Sequence, residues 1–297
     1  MNRKDFGKLV KALRKEQRDS DDKFCTQKML AKKTNLSIRM IGKIENGRQA
    51  KLDTDILLKL AEAFKLTTME RKEFFFAAAG VERENVPQQR RDSSSLLEDQ
   101  LEHLEEIQLP AFIHDAYGDI IAANESIIRF LNISPDFIKQ GQAANNPISF
   151  NIMHIISSKE SMFHNTVGNK LDRIIDDNML YFRYITLRYR AKDHFHDIFN
   201  ELSKKPSFSD SWYNASDEEN EVNSHHAFYD YVHSEYKHQV KYTATISKII
   251  TNFGELYLVV LVPTSKKTLK IFDKIIDEVG TNIRQLTPWP KTEKKMP

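Results

Sequence analysis

The chain has 297 residues, a formal net charge of +2 and 40% hydrophobic residues, which suits one or two folded domains. Its single cysteine, Cys25, excludes an internal disulfide framework. No apolar run reaches the roughly 18 residues of a membrane-crossing helix, and the N-terminus lacks the apolar core of a signal peptide. A cytoplasmic protein with no membrane partner is the expectation.

Charge is uneven along the chain. Residues 1–80 hold 19 Lys+Arg against 11 Asp+Glu, whereas the rest hold 25 against 31. A basic head on a mildly acidic body fits phosphate attraction by one part only. Within the head, residues 6–16 predict a helix with Phe6, Leu9, Val10 and Leu13 on one face.

Residues 26–48, TQKMLAKKTNLSIRMIGKIENGR, then read as two short amphipathic helices joined by a tight polar turn. Thr26 caps the first and Ser37 the second, each hydroxyl accepting from backbone N–H groups two or three residues on. Leu30 and Ala31 face inward. Asn35 tolerates the left-handed conformation that ends a helix, and Leu36 plugs the turn. Ile41 and Ile44 share one face and pack inward, which leaves Ile38, Arg39, Met40 and Lys43 pointing outward or sideways. Gly47 takes the positive φ that follows the second helix, and Arg14 is placed to pair with Glu45. This is the pattern that sets one helix into a DNA major groove. Residues 53–66, capped by Asp53, and ERKEFFFAAAG at 70–80 predict two further helices, which makes five in the head.

The head resembles the DNA-binding domain of the phage-repressor/XRE family at Gln27, Leu30, Ala31, Leu36, Ser37, Ile41, Ile44, Glu45, Gly47 and Arg48. The resemblance implies base reading by Ile38, Arg39, Met40 and Lys43, where Arg or Lys suits a guanine O6/N7 edge and an isoleucine a thymine methyl. Gln27, Ser37, Asn46 and Arg48 match phosphate-contacting positions, which fix register without reading sequence. The sequence departs from the family in Gly42, within the second helix, and in a longer Gln17–Cys25 link. The implied partner is double-stranded DNA carrying a palindromic operator, bound by a homodimer.

Residues 81–95, VERENVPQQRRDSSS, have linker composition. Leu96, Leu97, Leu101, Leu104 and Ile107 follow at helical spacing, either as a signalling or dimer helix or as an ordinary packed one. From Leu109 the period changes to strand, turn at Tyr117-Gly118, strand, and ESIIRFLNI is a short helix. A long helical middle follows. HHAFYDYVHSEYKH reads as an aromatic, polar helix with exposed imidazoles. KHQVKYTATISKII and ELYLVVLVP then form two antiparallel strands around a turn at Asn252-Phe253-Gly254, and TLKIFDKIIDEVGTNIRQL a terminal helix.

That order is what a PAS-like sensor fold gives, a small antiparallel sheet cupping a pocket under helices. LPAFIHDAYGDIIAANESIIRFLNI, the stretch YFRYITLRYRAKDHFHDIFNELSKKPSFSDSWYN and the closing strands resemble the MmyB-like ligand-binding domain of bacterial regulators. The chain departs from that family at Ala123, where a Trp is usual. The resemblance implies an apolar, fatty-acid-like ligand. Phe112, Ile121, Phe130, Phe182, Ile185, Phe195, Phe208, Trp212 and Tyr257 are candidates to line its pocket, with Arg183 or Arg188 to pair with a carboxylate.

Ten histidines, among them His225, His226, His233 and His238, fit no zinc spacing, so no metal is expected. SDEENE at 216–221 reads as a solvated acidic loop. There is no Gly-rich phosphate loop, nucleophile elbow or HExxH, so neither enzyme nor cofactor is expected. The fold class is α+β: a five-helix DNA-binding domain at 1–80, a linker and connecting helix at 81–108, a PAS-like domain at 109–265, and a C-terminal helix and tail at 266–297. The alternatives are a peptide-binding body, or a ligand-free scaffold for dimerisation and protein interaction.

Overall fold

The computed structural model describes residues 1–18, 23–49, 52–80, 92–143, 146–158, 161, 163–215 and 226–291. Most of the expected linker, the acidic run 216–221 and His225 lie outside the described residues. The chain divides into two compact units. One comprises Met1–Asn85 and Arg183–His196, and the other Val86–Phe182 and Asp197–Pro297.

The first unit holds α1 (Arg3–Glu16), α2 (Gln27–Thr34), α3 (Ile38–Glu45), α4 (Thr54–Ala63) and α5 (Thr68–Ala79). Local chemistry sets most of their ends. The side chain of Asn2 accepts from Asp5 N–H, that of Thr26 from Met29 N–H and that of Ser37 from Met40 N–H. Thr67 and Glu70 form a reciprocal capping box on α5. Asp53 stands at the start of α4, but its carboxylate makes no cap bond. Asn35 ends α2 at φ 54°. Phe6, Leu9, Val10, Leu13, Leu30, Ile41, Ile44, Leu60, Phe64 and Phe74 form one core, and Leu187 belongs to the same cluster.

Leu187 lies in a 3-10 turn, Leu187–Tyr189, flanked by three arginines. Arg183 donates to both carboxylate oxygens of Glu70, at 3.2 and 2.9 Å, and to the Lys65 carbonyl. Arg190 donates to Glu70 and to Glu16, the latter at 3.1 Å, and Arg188 pairs with Glu73. Residues 183–196 are expected in the 109–265 body. In the structure, buried ion pairs and Leu187 fasten them into the core of α1 and α5.

The second unit opens with α6 (Ser93–Glu106), β1 (Ala111–Asp115), β2 (Ile120–Asn124) and α7 (Glu125–Phe130). The helical middle follows as α8 (Pro135–Ala143), α9 (Ile152–Ser157), α10 (Phe163–Val167), α11 (Leu171–Thr186), α12 (Asp193–Leu202) and α13 (Pro206–Asn214). The last residues of α11 and the first of α12 are counted in the first unit. β3 (His226–His233), β4 (His238–Thr251), β5 (Gly254–Pro263), α14 (Lys266–Val279) and β6 (Ile283–Gln285) complete the chain. The six strands form one sheet in the order β3-β4-β5-β1-β2-β6, and all its pairings are antiparallel.

Leu101 and Leu104 of α6 pack with Ala111, Ile113, Ile121, Ala122, Leu256, Leu258 and Trp289. The apolar stripe of this helix is therefore committed to its own sheet. Asn124 locks the junction of β2 and α7: its Oδ1 accepts from the N–H groups of Ile127 and Ala111, and its Nδ2 donates to the Leu109 carbonyl. Its neighbour Ala123 is buried and pairs with Phe112 and Arg284 across the strands.

Two expected helices are corrected. Of HHAFYDYVHSEYKH, residues 226–238 form β3, a turn and the first residue of β4, because Tyr229 and Tyr231 alternate with Phe228 and Val232 and the strand pairs with β4 along its length. His233 is buried rather than exposed, with Nε2 2.8 Å from the Phe130 carbonyl. The terminal helix stops at Val279 before Gly280, at φ 69°, and Ile283–Gln285 adds an edge strand beside β2.

Candidate nucleic-acid interface

The close approach of α1 fixes the placement of α3. A Cβ on Gly7 would lie 2.6 Å from the carbonyl oxygens of Ile44 and Glu45, so only glycine admits this contact. Gly47, at φ 65°, likewise abuts Lys4 and Arg3. Ile41 and Ile44 are fully or almost fully buried.

Glu45 then ties α1, α2 and α3 together. Arg14 donates to both of its oxygens at 2.6 and 3.1 Å, and Gln27 Nε2 donates to its Oε2 at 2.7 Å. Arg14 also donates to the Cys25 carbonyl at 2.7 Å. The expected Arg14–Glu45 pair is present. Gln27, expected at a phosphate, has one amide proton committed to fixing α3.

The opposite face of α3 is open. Ile38 is 50% exposed, and Arg39 and Lys43 are exposed as well. Met40 is half-buried and packs on the core, so it offers the least surface of the four expected base readers. Ser37 and Asn46 are exposed at the two ends of the helix, Ser37 capping it and Asn46 donating to the Gly42 carbonyl at 2.7 Å. Arg48 is exposed just beyond. A Cβ on Gly42 would meet nothing within 4 Å, so this glycine answers no packing need.

Between Lys23 and Gln49 there are seven Lys and Arg residues and one acid, Glu45, and that acid is buried against Arg14. Lys28, Lys32, Lys33, Arg39, Lys43 and Arg48 are exposed, and no ion pair is formed by any of them among the described residues. Exposed cations along α2 and α3, with no exposed acid in the same segment, attract a polyanion and leave side-chain donors for base edges. Lys28, Lys32 and Lys33 on α2 are not among the contact residues expected from the sequence. The absence of any exposed acid in this segment was the signal for them.

Residues 25–70 match the helix-turn-helix family model. The matched stretch covers α2, α3, α4 and the start of α5, and it supports an XRE-type, DNA-binding transcription regulator. A search of curated proteins found no match to this chain.

The expected pocket residues do not converge on one place. Phe112 and Tyr257 flank the buried His114, whose ring stacks on Tyr257 at 5.0 Å and whose Nε2 lies 3.0 Å from the Tyr181 hydroxyl. Burial brings the His114 imidazole down to about 4, so it stays neutral. Phe130 packs on Tyr242 and Phe272, and Ile121 lies in the cluster under α6. Phe182, Phe208 and Trp212 contact one another, and Phe208 and Trp212 also contact Phe199. Ile185 and Phe195 are buried in residues counted with the first unit. Arg183 and Arg188 are engaged by Glu70 and Glu73, so neither guanidinium is open to a ligand carboxylate. Among the described residues, no His, Cys, Asp and Glu group is arranged to hold a metal, and no helix is long and apolar enough to cross a membrane.

Proposed function

We propose that this protein is a cytoplasmic, sequence-specific transcription regulator that binds a palindromic operator as a homodimer. The observation that carries the reading is the open face of α3: Ile38, Arg39 and Lys43 exposed on a rigidly held helix whose surroundings are cationic. Two such helices on one face of DNA require half-sites about 10 base pairs, or a multiple, apart. Arg39 and Lys43 read bases, while Ser37, Asn46, Arg48 and the free amide proton of Gln27 hold phosphates.

Arg39→Ala is expected to lower discrimination at one base position by about 1–3 kcal/mol. Arg48→Ala should weaken all duplexes alike and reduce the slope of log affinity against log salt by about 1. Fluorescence anisotropy on a panel of single-base operator variants, repeated at several salt concentrations, checks both. An Arg39→Ala protein with the wild-type base profile would remove Arg39 from the reading set.

For the second unit we propose a PAS-like, MmyB-type sensor controlled by a small apolar, fatty-acid-like ligand. Its element order supports this: a strand pair, a helical middle, and long strands closing an antiparallel sheet that carries Phe112, His114 and Tyr257. One observation favours the rival reading of a ligand-free dimer scaffold, namely that Phe182, Phe208 and Trp212 fill space against one another. Native mass spectrometry followed by denaturing extraction separates the two. One acyl chain per subunit supports the sensor, and an apo dimer that captures no added fatty acid supports the scaffold.

A further inference from the structure

Residues Arg183–His196 follow Gly80, the last described residue of the first unit's N-terminal segment, by more than a hundred positions, yet they complete its core. Leu187 is fully buried in the cluster formed by α1–α5. Around it, Arg183, Arg188 and Arg190 reach Glu70, Glu73 and Glu16, on α5 and on the last residue of α1. Arg190 also donates to the Arg183 carbonyl at 2.9 Å, which closes the segment on itself. Arg183 and Arg190 side chains are 7% and 2% exposed, and Glu70 is 0% exposed. Charges this buried hold position only while every partner is in place.

We propose that Arg183–His196 is the sixth element of the DNA-binding unit, and that its docking sets how firmly α1 and α5 hold the helix-turn-helix. α1 in turn fixes α3 through the Gly7 contact and the Arg14–Glu45 pair. α11 runs without a break from Leu171 to Thr186, so one helix carries chain of the second unit directly into this element. The DNA-affinity part of this proposal rests on the function proposed above. The docking part does not.

The test is hydrogen–deuterium exchange on the full-length protein carrying Leu187→Ala, with Arg188→Ala as a milder second variant. Arg188 and Glu73 are 18% and 11% exposed in their side chains, so losing this pair perturbs the site without emptying the core. Amides of α1 and α5 are expected to exchange at least tenfold faster, those of β4 and β5 at the wild-type rate, and affinity for a bound duplex to fall severalfold. Unchanged exchange in α1 and α5, or equal acceleration in β4 and β5, would overturn the docking role. Faster exchange in α1 and α5 with unaltered duplex affinity would overturn the control of α3. A wild-type protein that binds no duplex sinks the DNA-binding function itself and leaves the exchange result to judge the docking.

Discussion

Glu70→Ala is expected to cost the first unit about 3–5 kcal/mol, the range for removing one partner of a buried ion pair. The residue is 0% exposed and is the counter-charge for two guanidiniums that are themselves buried. Its removal strands both, and it also strips the Thr67 N–H of its acceptor at 2.9 Å. Replacing Glu70, Arg183 and Arg190 together by Met should cost less than Glu70→Ala alone, because no guanidinium is then stranded and Glu16, which loses Arg190, is already raised by burial to about 7 and can stay protonated. Urea titration followed by circular dichroism checks the ordering. A single variant no less stable than the triple one would contradict it.

The same cluster sets a pH profile. Burial opposes ionisation of Glu70, but the charges of Arg190 and Arg183, with hydrogen bonds from Arg183 and the Thr67 N–H, outweigh it and bring the carboxyl from 4.5 to about 2. For Glu16 burial wins over Arg190 and raises the carboxyl from 4.5 to about 7, in keeping with a buried Oε1 that has no hydrogen-bond partner. Linkage fixes the signs. The Glu70 contribution is present above about 4.5 and is lost as pH falls toward 2. The Glu16 contribution is present below about 4.5 and is lost as pH rises through 7. Asp115 in the second unit, raised by burial and by Asp119 to about 7, adds a loss over the same upper range. His114 and His233, both held below the ordinary imidazole value by burial, gain stability as pH rises toward 6.5 and oppose these losses. The Glu16 contribution is therefore isolated by comparison: between pH 5 and pH 7.5 the wild-type protein should lose stability relative to Glu16→Gln. Equal slopes in the two proteins would count against the buried Glu16.

Glu45→Ala is the second large effect, again about 3–5 kcal/mol. Its side chain is 3% exposed and holds Arg14 and Gln27. Arg14 keeps only the Cys25 carbonyl, and α3 loses its tie to α1 and α2 at the C-terminal end. Duplex affinity should fall along with stability, whereas Arg39→Ala should alter base preference at unchanged stability. Thermal melts run beside anisotropy separate these two signatures. A Glu45→Ala protein with wild-type melting and binding would show that α3 is held by packing alone.

The helix-turn-helix was legible because every signal for it is local. Thr26 and Ser37 cap, Asn35 and Gly47 take positive φ, and Ile41 and Ile44 repeat at helical spacing, all within 23 residues. The hairpins β1–β2 and β4–β5 were legible for the same reason, through alternation around Tyr117-Gly118 and Asn252-Gly254. β3 was misread because the histidines and tyrosines of residues 225–238 look polar in composition, while the alternation of Tyr229, Tyr231 and His233 with Phe228 and Val232 marks a strand with one buried face. Arg183–His196 was beyond local reading. An arginine destined for burial has no sequence mark of its own when its partner, Glu70, lies 113 residues away. The dispersal of the pocket residues has a related cause: aromatic side chains in a small domain serve as core wherever the fold needs volume, and sequence spacing does not say which of them meet.

The most direct measurement is selection of duplexes from a random-sequence library by the full-length protein, run beside Arg39→Ala and Lys43→Ala. The reading predicts enrichment of two inverted half-sites about 10 base pairs apart, or a multiple, with each variant losing preference at its own position in both half-sites. Failure of the wild-type protein to enrich any motif, or enrichment of the same motif by all three proteins, would contradict base reading by α3.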